Sequence, residues 1–222
     1  MESYIPKIIH YSWFGRKKKP EFIQWCISTW GKYLPEYRII EWNEDNFDLA
    51  GHRFAREAYE AGKYAFVSDY VRVYVIYHYG GIYFDTDIEV RADFTDKLNG
   101  AKFVIAFELP HSLMTGFFAA QKGNEAVKEI LNYYDGTGFY RGDGNMKLTP
   151  NPVIFARETE KFGLKFNGQY QEIGDGMRIF PNEVFGGYNV YDMIYTITDK
   201  TVLVHHYTAS WRTVREEIPV KI

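Results

Sequence analysis

Residues 82–90 constrain the fold more than any other stretch of the chain. Ile82, Tyr83, Phe84, Ile88 and Val90 are apolar and β-prone, yet Asp85 and Asp87 stand among them. Unpaired buried charge is costly, so two acids in such a run need partners. The stretch reads as a buried strand whose end delivers carboxylates into a site. Side chains alternate along a strand, which would put Asp85 and Asp87 on one side, roughly 7 Å apart. Two carboxylates with coordination positions to spare suit Mg²⁺ or Mn²⁺ holding the phosphates of a nucleotide or sugar nucleotide. Asp-x-Asp also arises by chance, and its plain alternative is a solvated turn at a strand end.

The chain opens β-α-β: a strand over residues 7–14, a helix over 21–33 and a strand over 37–42. The helix is marked by apolar residues at Phe22, Ile23, Trp25, Cys26, Ile27 and Trp30. That order predicts a largely parallel α/β sheet with its chemistry at the carboxyl ends of the strands, where Trp13 and Trp42 fall. Residues 16–20 carry Arg16, Lys17, Lys18 and Lys19. Such a run could meet phosphates, but it reads first as a solvated loop. Residues 65–79 divide the local rules. Their β-branched and aromatic content before Gly80 and Gly81 fits a hairpin, whereas a helix would bring Asp69 and Arg72 onto one face of its first turn, near Ser68. Propensity alone leaves both open. Further strands are expected over 102–108, 116–120, 177–181 and 201–204, helices over 124–134 and 150–162, and turns over 135–145 and 184–188. No repeat or linker interrupts the 222 residues, so one domain over 1–222 is expected.

Composition excludes several classes. The formal charge of −3 gives no electrostatic grip on nucleic acid. Cys26 is the only cysteine, so no intrachain disulfide can form. No apolar run approaches spanning length, and a cytoplasmic chain, free or at the inner face of the membrane, is the expectation. Aromatic residues make up 18%, with 19 Tyr and 17 Phe, which supplies ring faces for stacking on sugars or bases.

His205 and His206 follow the last strand, and imidazole is a good ligand for Mn²⁺. Adjacent residues of a strand face opposite ways, so only one of the pair should reach a metal at Asp85 and Asp87.

Four stretches taken together resemble the glycosyltransferases of family 32, which include capsular-polysaccharide sugar transferases, yeast-type initiating mannosyltransferases and the glucosylating domains of large bacterial toxins. These are residues 5–15; residues 65–72 with Ser68, Asp69 and Arg72; residues 80–87 with Asp85 and Asp87; and His205, His206, Ser210 and Trp211. The resemblance implies a GT-A fold and a helix for residues 65–79. It further implies a nucleotide-sugar donor, a UDP- or GDP-sugar, held through Mn²⁺ or Mg²⁺, and transfer of a hexose to a glycan or lipid-linked acceptor with retention, in surface polysaccharide synthesis. Peripheral contact with a membrane follows if the acceptor is lipid-linked. Carried over by position, Trp13 stacks on the base, Asp69 and Arg72 hold ribose and sugar, Asp85 reaches ribose, sugar or metal, and Asp87 is the principal metal ligand. His206 is the third ligand, with Ser210 and Trp211 on the donor phosphates. The chain departs from the family at Thr115, where Asn is frequent, and at Asn151, where Gly precedes the Pro. Two rival readings remain: an Asp-x-Asp phosphotransferase or phosphatase with Asp85 as nucleophile, and a metal-dependent sugar-binding module without turnover. For a covalent route to retention the candidate carboxylates are Glu108 and Asp143. Neither lies in a motif, so front-face substitution is expected.

Overall fold

The computed structural model describes residues 5–208. In chain order these form β1 (Ile8–Ser12), α1 (Glu21–Tyr33), β2 (Arg38–Trp42), α2 (Arg53–Glu60), α3 (Tyr64–Tyr79), β3 (Gly81–Phe84), β4 (Ile88–Val90), α4 (Thr95–Leu98), β5 (Phe103–Leu109), β6 (Ser112–Ala120), α5 (Glu125–Asp135), α6 (Asn151–Glu160), β7 (Gln171–Ile173), β8 (Met177–Phe180), β9 (Phe185–Gly186), β10 (Tyr188–Asn189), β11 (Ile194–Tyr195) and β12 (Leu203–His205). The large sheet has the order β2-β1-β3-β6-β5-β8-β7. It is parallel at β2-β1-β3 and at β5-β8, while β6 and β7 run antiparallel to their neighbours. A second sheet, β4-β12-β9, and the β10-β11 hairpin complete the strands.

Alternation along the central strands builds two cores. Tyr83, Phe103, Ile105 and Phe118 face one way, against α2, α3, α5 and α6. Their neighbours Ile82, Phe84, Val104 and Phe117 face the other, against Trp30 of α1 and the small sheet. A period of two buried on both faces is what a sheet enclosed between layers requires. Trp30 donates its indole N–H to the Ile88 carbonyl (2.7 Å), and Thr29 Oγ1 accepts from the Val90 amide (2.9 Å). These bonds tie α1 to β4.

Residues 64–79 are a helix, which settles the open segment. Val67, Tyr70, Val71, Val75 and Ile76 are all buried, so tertiary burial on a long helix outweighs the β-branched preference for strand. Gly80, at φ 68°, ends it in a conformation that L side chains rarely adopt. Its start is not where Ser68 would cap it. Lys63 precedes the first turn, and Asp69 and Arg72 come from the second and third.

The strand expected over residues 82–90 is broken in the middle. β3 ends at Phe84 in the large sheet and β4 starts at Ile88 in the small one, so residues 85–87 form the step between sheets. The Ile88 amide bonds the Asp85 carbonyl (3.1 Å), closing a turn. Strand alternation therefore does not orient the two carboxylates.

Candidate active site

The site is assembled where β3 and β12 end around that step, beside the middle of β6. Asp85 is anchored by its backbone amide, which donates to the Gly116 carbonyl at 2.8 Å. Its carboxylate faces Arg72, with Oδ1 at 3.1 Å from Nη2 and Oδ2 at 3.5 Å from Nη1. Arg72 also holds Asp69 Oδ1 at 3.1 Å and donates to the Thr115 carbonyl at 2.8 Å and the Ser68 carbonyl at 3.2 Å. Its guanidinium lies over the Tyr83 ring, 4.9 Å from the centroid. Burial works against the charge on Arg72, but Asp85, the Tyr83 ring and Asp69 outweigh it and keep the group protonated. Burial pushes the Asp69 carboxyl up, with Arg72 and Asn151 opposing. Of the three side chains, Asp85 is the most open to solvent, at 27%.

Asp87 turns elsewhere. Oδ1 is 3.2 Å from His205 Nε2, and Oδ2 accepts from the Thr208 amide (2.7 Å) and hydroxyl (2.9 Å). Burial would raise this carboxyl, but His205 and Thr208 together hold it far below the usual carboxylate range. Burial opposes charge on His205 too, and Asp87 overrides it, so the imidazole titrates above its ordinary value. Tyr207, at φ 49°, occupies the left-handed region and lays its ring 3.8 Å from that of His205. A non-glycine residue there costs about 1–3 kcal/mol, a strain that gathers at functional sites.

The two histidines lie differently from the expectation that His206 meets the aspartates. His206 points away from the aspartates: Nε2 is 3.1 Å from Glu89 Oε2, and Nδ1 is 2.8 Å from the Tyr195 hydroxyl. β12 ends at His205, so strand alternation gives His205 to the site and His206 to the opposite side. Trp13 lies one residue past β1, partly exposed, its indole N–H donating to the Lys17 carbonyl at 2.6 Å. Ser12 Oγ reaches the Tyr83 hydroxyl (2.9 Å), which ties that strand end to the ring beneath Arg72. Ser210 and Trp211 lie outside the described residues. Asp143 is exposed and accepts from the Asn145 amide, whereas the charge of Glu108 reaches His205 and Tyr207.

Two residues that the sequence did not place at the site border it. Asn151, first residue of α6 and 3% exposed, donates from Nδ2 to Asp69 Oδ1 at 2.9 Å. Gly116 lies inside β6, where a Cβ would come within 2.7 Å of His205 Cε1 and 2.9 Å of Asp85 Oδ2. A glycine within a strand run marks close approach, and that signal was available at Gly116. Asn151 stood in the sequence as a departure beside Pro152, with no sign that it reached Asp69.

The donor chemistry fits a divalent ion. Asp85 and His205 both border the gap left by the missing Gly116 Cβ, and His205 Nδ1, buried and without a hydrogen-bond partner among the described residues, lies 3.1 Å from it. Among the described residues no three His, Cys, Asp or Glu side chains already converge as a ligand set. The fit rests on donor type and on the vacant side of His205. Asn151 Oδ1 and the Tyr134 hydroxyl are likewise buried without partners among the described residues, and Tyr134 feels the charges of Asp69 and Arg72. Such groups are scarce in folded proteins, and their gathering here marks a place built to bind polar groups.

A two-layered α/β sheet with an Asp-x-Asp step at its carboxyl edge is the GT-A fold of glycosyltransferases. The PaToxG glycosyltransferase superposes with TM-score 0.56 at 20% identity, covering 71% of this chain and 69% of that one. A glycosyltransferase involved in glycosylating the major capsid of PBCV-1 superposes with TM-score 0.50 at 11% identity, covering 92% and 95%. Within the fold, residues 20–104 match the family described as a glycosyltransferase sugar-binding region containing a DXD motif. Asp69, Arg72, Asp85 and Asp87 all fall inside that match. Inositol phosphoceramide mannosyltransferase 1 of Schizosaccharomyces pombe is 25% identical over 130 residues, 52% of this chain and 38% of that protein. Subversion of eukaryotic traffic protein A of Legionella pneumophila is 24% identical over 163 residues, 59% of this chain and 25% of that protein. The chain thus spans between a quarter and two fifths of the length of these curated relatives. Residues 20–104 are thus similar to a glycosyltransferase sugar-binding region, set within a GT-A fold.

Proposed function

We propose that this chain moves a hexose from a UDP- or GDP-sugar to a glycan or lipid-linked acceptor, with retention and with a divalent metal, Mn²⁺ or Mg²⁺, in surface polysaccharide synthesis. The observation that carries the reading is the ion cluster of Asp69, Arg72 and Asp85, set beside Asp87 and His205 at one sheet edge. Four contacts fix Arg72, so the carboxylates it holds are pre-set for ribose and sugar hydroxyls at little ordering cost. Asp85 offers its open edge, and Asn151 Oδ1 and the Tyr134 hydroxyl supply free polar atoms on the Asp69 side. Asp85, Asp87 and His205 would hold the metal, which when bound supplies positive charge to the donor diphosphate. Trp13 provides a ring face at the end of β1 for the base.

Retention by a covalent route needs a carboxylate beneath the anomeric carbon. Asp143 is on the exposed surface, and Glu108 stands nearest the site through His205 and Tyr207. Among the described residues no contact sets Glu108 as a nucleophile: it accepts from Ser112 Oγ at 3.2 Å. Front-face substitution is therefore the reading, with the leaving phosphate oxygen taking the acceptor proton. Because the S. pombe relative is a mannosyltransferase, a mannose nucleotide heads the donor panel. Nucleotide release should occur with one donor and stop on chelation. Release indifferent to chelator would remove the metal from the proposal, and metal-dependent nucleotide binding without release even when glycan acceptors are supplied would favour a binding module.

A further inference from the structure

Large exposed apolar side chains concentrate on one face. Phe22 and Trp25 project from α1, and Tyr191, Met193, Ile194 and Tyr195 from the β10-β11 hairpin, with Tyr191 69% and Met193 67% exposed. The two groups are continuous through His206, whose ring lies 5.0 Å from that of Phe22, 6.2 Å from Trp25 and 5.6 Å from Tyr195. An apolar face of this kind marks an interaction site.

Its charge points to the partner. The loop entering α1 carries four cations in a row; Arg16 is paired with Asp45 and Lys19 with Glu41, while Lys17 and Lys18 are exposed and have no ion pair among the described residues. The acids at the patch are Glu21, Asp192 and Glu89: Asp192 is engaged by Asn189 Nδ2 at 2.7 Å, and Glu89 by Arg91 at 2.9 Å and by His206 at 3.1 Å. Trp and Tyr are suited to the headgroup level of a bilayer, where the ring is half in hydrocarbon and its polar edge stays wet. Free lysines beside such rings meet lipid phosphates. The hairpin, with strands of two residues each, is a small element whose exposed Tyr191, Met193 and Ile194 can enter headgroups.

We propose that this face, the outer side of α1 with the β10-β11 hairpin, seats the protein on the surface of an anionic lipid bilayer. No helix among the described residues is long and apolar enough to cross a membrane, and the seating is peripheral. His206 belongs to this face and its chain neighbour His205 to Asp87, so the lipid-facing side and the active site meet at the end of β12.

The test is co-sedimentation of the full chain with vesicles of phosphatidylcholine alone and of phosphatidylcholine mixed with phosphatidylglycerol. Binding to the mixed vesicles, weakened by salt, is expected. Lys17→Gln with Lys18→Gln should reduce it by about 30-fold, from about fivefold per neutralised lysine, and Met193→Ser with Ile194→Ser by more than about tenfold. The Met193 and Ile194 double variant should keep its circular dichroism spectrum and its nucleotide release in the absence of vesicles. No sedimentation with either vesicle, binding unaffected by both double variants, or a dimer in analytical ultracentrifugation that the Met193 and Ile194 variant dissolves would each overturn the proposal.

Discussion

Adding one methyl group at Gly116 should separate the fold from the chemistry. The backbone of Gly116 is not in the left-handed region, so alanine is tolerated there conformationally, and the lost glycine freedom stabilises by about 0.4–1 kcal/mol. Against this, the new Cβ would stand 2.7 Å from His205 Cε1, 2.9 Å from Asp85 Oδ2 and 3.1 Å from His205 Nδ1. Overpacking of this size costs about 1–3 kcal/mol, so the net loss of stability is about 0–2.6 kcal/mol, well short of the roughly 5–15 kcal/mol of a typical domain. The chemistry suffers more. Relief requires His205 or Asp85 to move, and displacement by about 1 Å costs a positioned site on the order of 100-fold. Urea denaturation and nucleotide release, measured on Gly116→Ala, give the two numbers. Gly31→Ala is the control: it lies in α1 with no atom within 4 Å of its new Cβ, and it should stabilise by about 1 kcal/mol without changing release. Wild-type release from a folded Gly116→Ala protein would refute the convergence of Asp85 and His205 on that gap.

Asp87→Asn keeps the size of a buried side chain but removes its charge beside His205; release should fall by about 100-fold or more with the circular dichroism spectrum unchanged. Arg72→Met leaves Asp69 and Asp85 facing each other unpaired, and a loss of about 3–5 kcal/mol is expected in urea titrations. His10 gives a pH prediction away from the site. Its Nδ1 accepts from the Trp42 indole, so Nε2 carries the proton donated to the Gly80 carbonyl, and burial pushes its pKa down to about 4. A depressed pKa means that the unfolded chain binds the extra proton first. Its contribution is therefore whole above pH about 6.5 and is lost as pH falls towards 4, amounting to about 3 kcal/mol, a loss visible in urea midpoints. Histidine NMR signals that place the His10 midpoint near 6.5 would contradict it.

Much of the architecture was legible because burial on both faces writes long apolar runs. β1, α1, β2, β5, α5 and α6 fall where hydrophobic pattern and turn residues put them. The helix at residues 64–79 was not decidable locally, since its Val, Ile and Tyr residues prefer strand and only packing between α2, α5 and the sheet reverses that preference. The site was legible in its parts and not in its joints. Asp69 and Arg72 belong together because three residues on a helix make neighbours. The break between β3 and β4 was hidden, because residues on both sides of it are apolar and the change of sheet depends on pairing with β6 and β12, far along the chain. The same long-range pairing decides between His205 and His206: β12 pairs with β4 through His205 and Ile88, a register that no local pattern carries. Asn151 reaches Asp69 only because α6 packs beside β6.

Calorimetric titration of Mn²⁺ together with UDP or GDP into the wild-type protein, His205→Ala and His206→Ala tests the site most directly. Metal-dependent nucleotide binding that His205→Ala weakens by at least about tenfold, and that His206→Ala leaves intact, is the result predicted by a site built on Asp85, Asp87 and His205. Binding lost in His206→Ala and kept in His205→Ala, or nucleotide binding indifferent to metal, would contradict it.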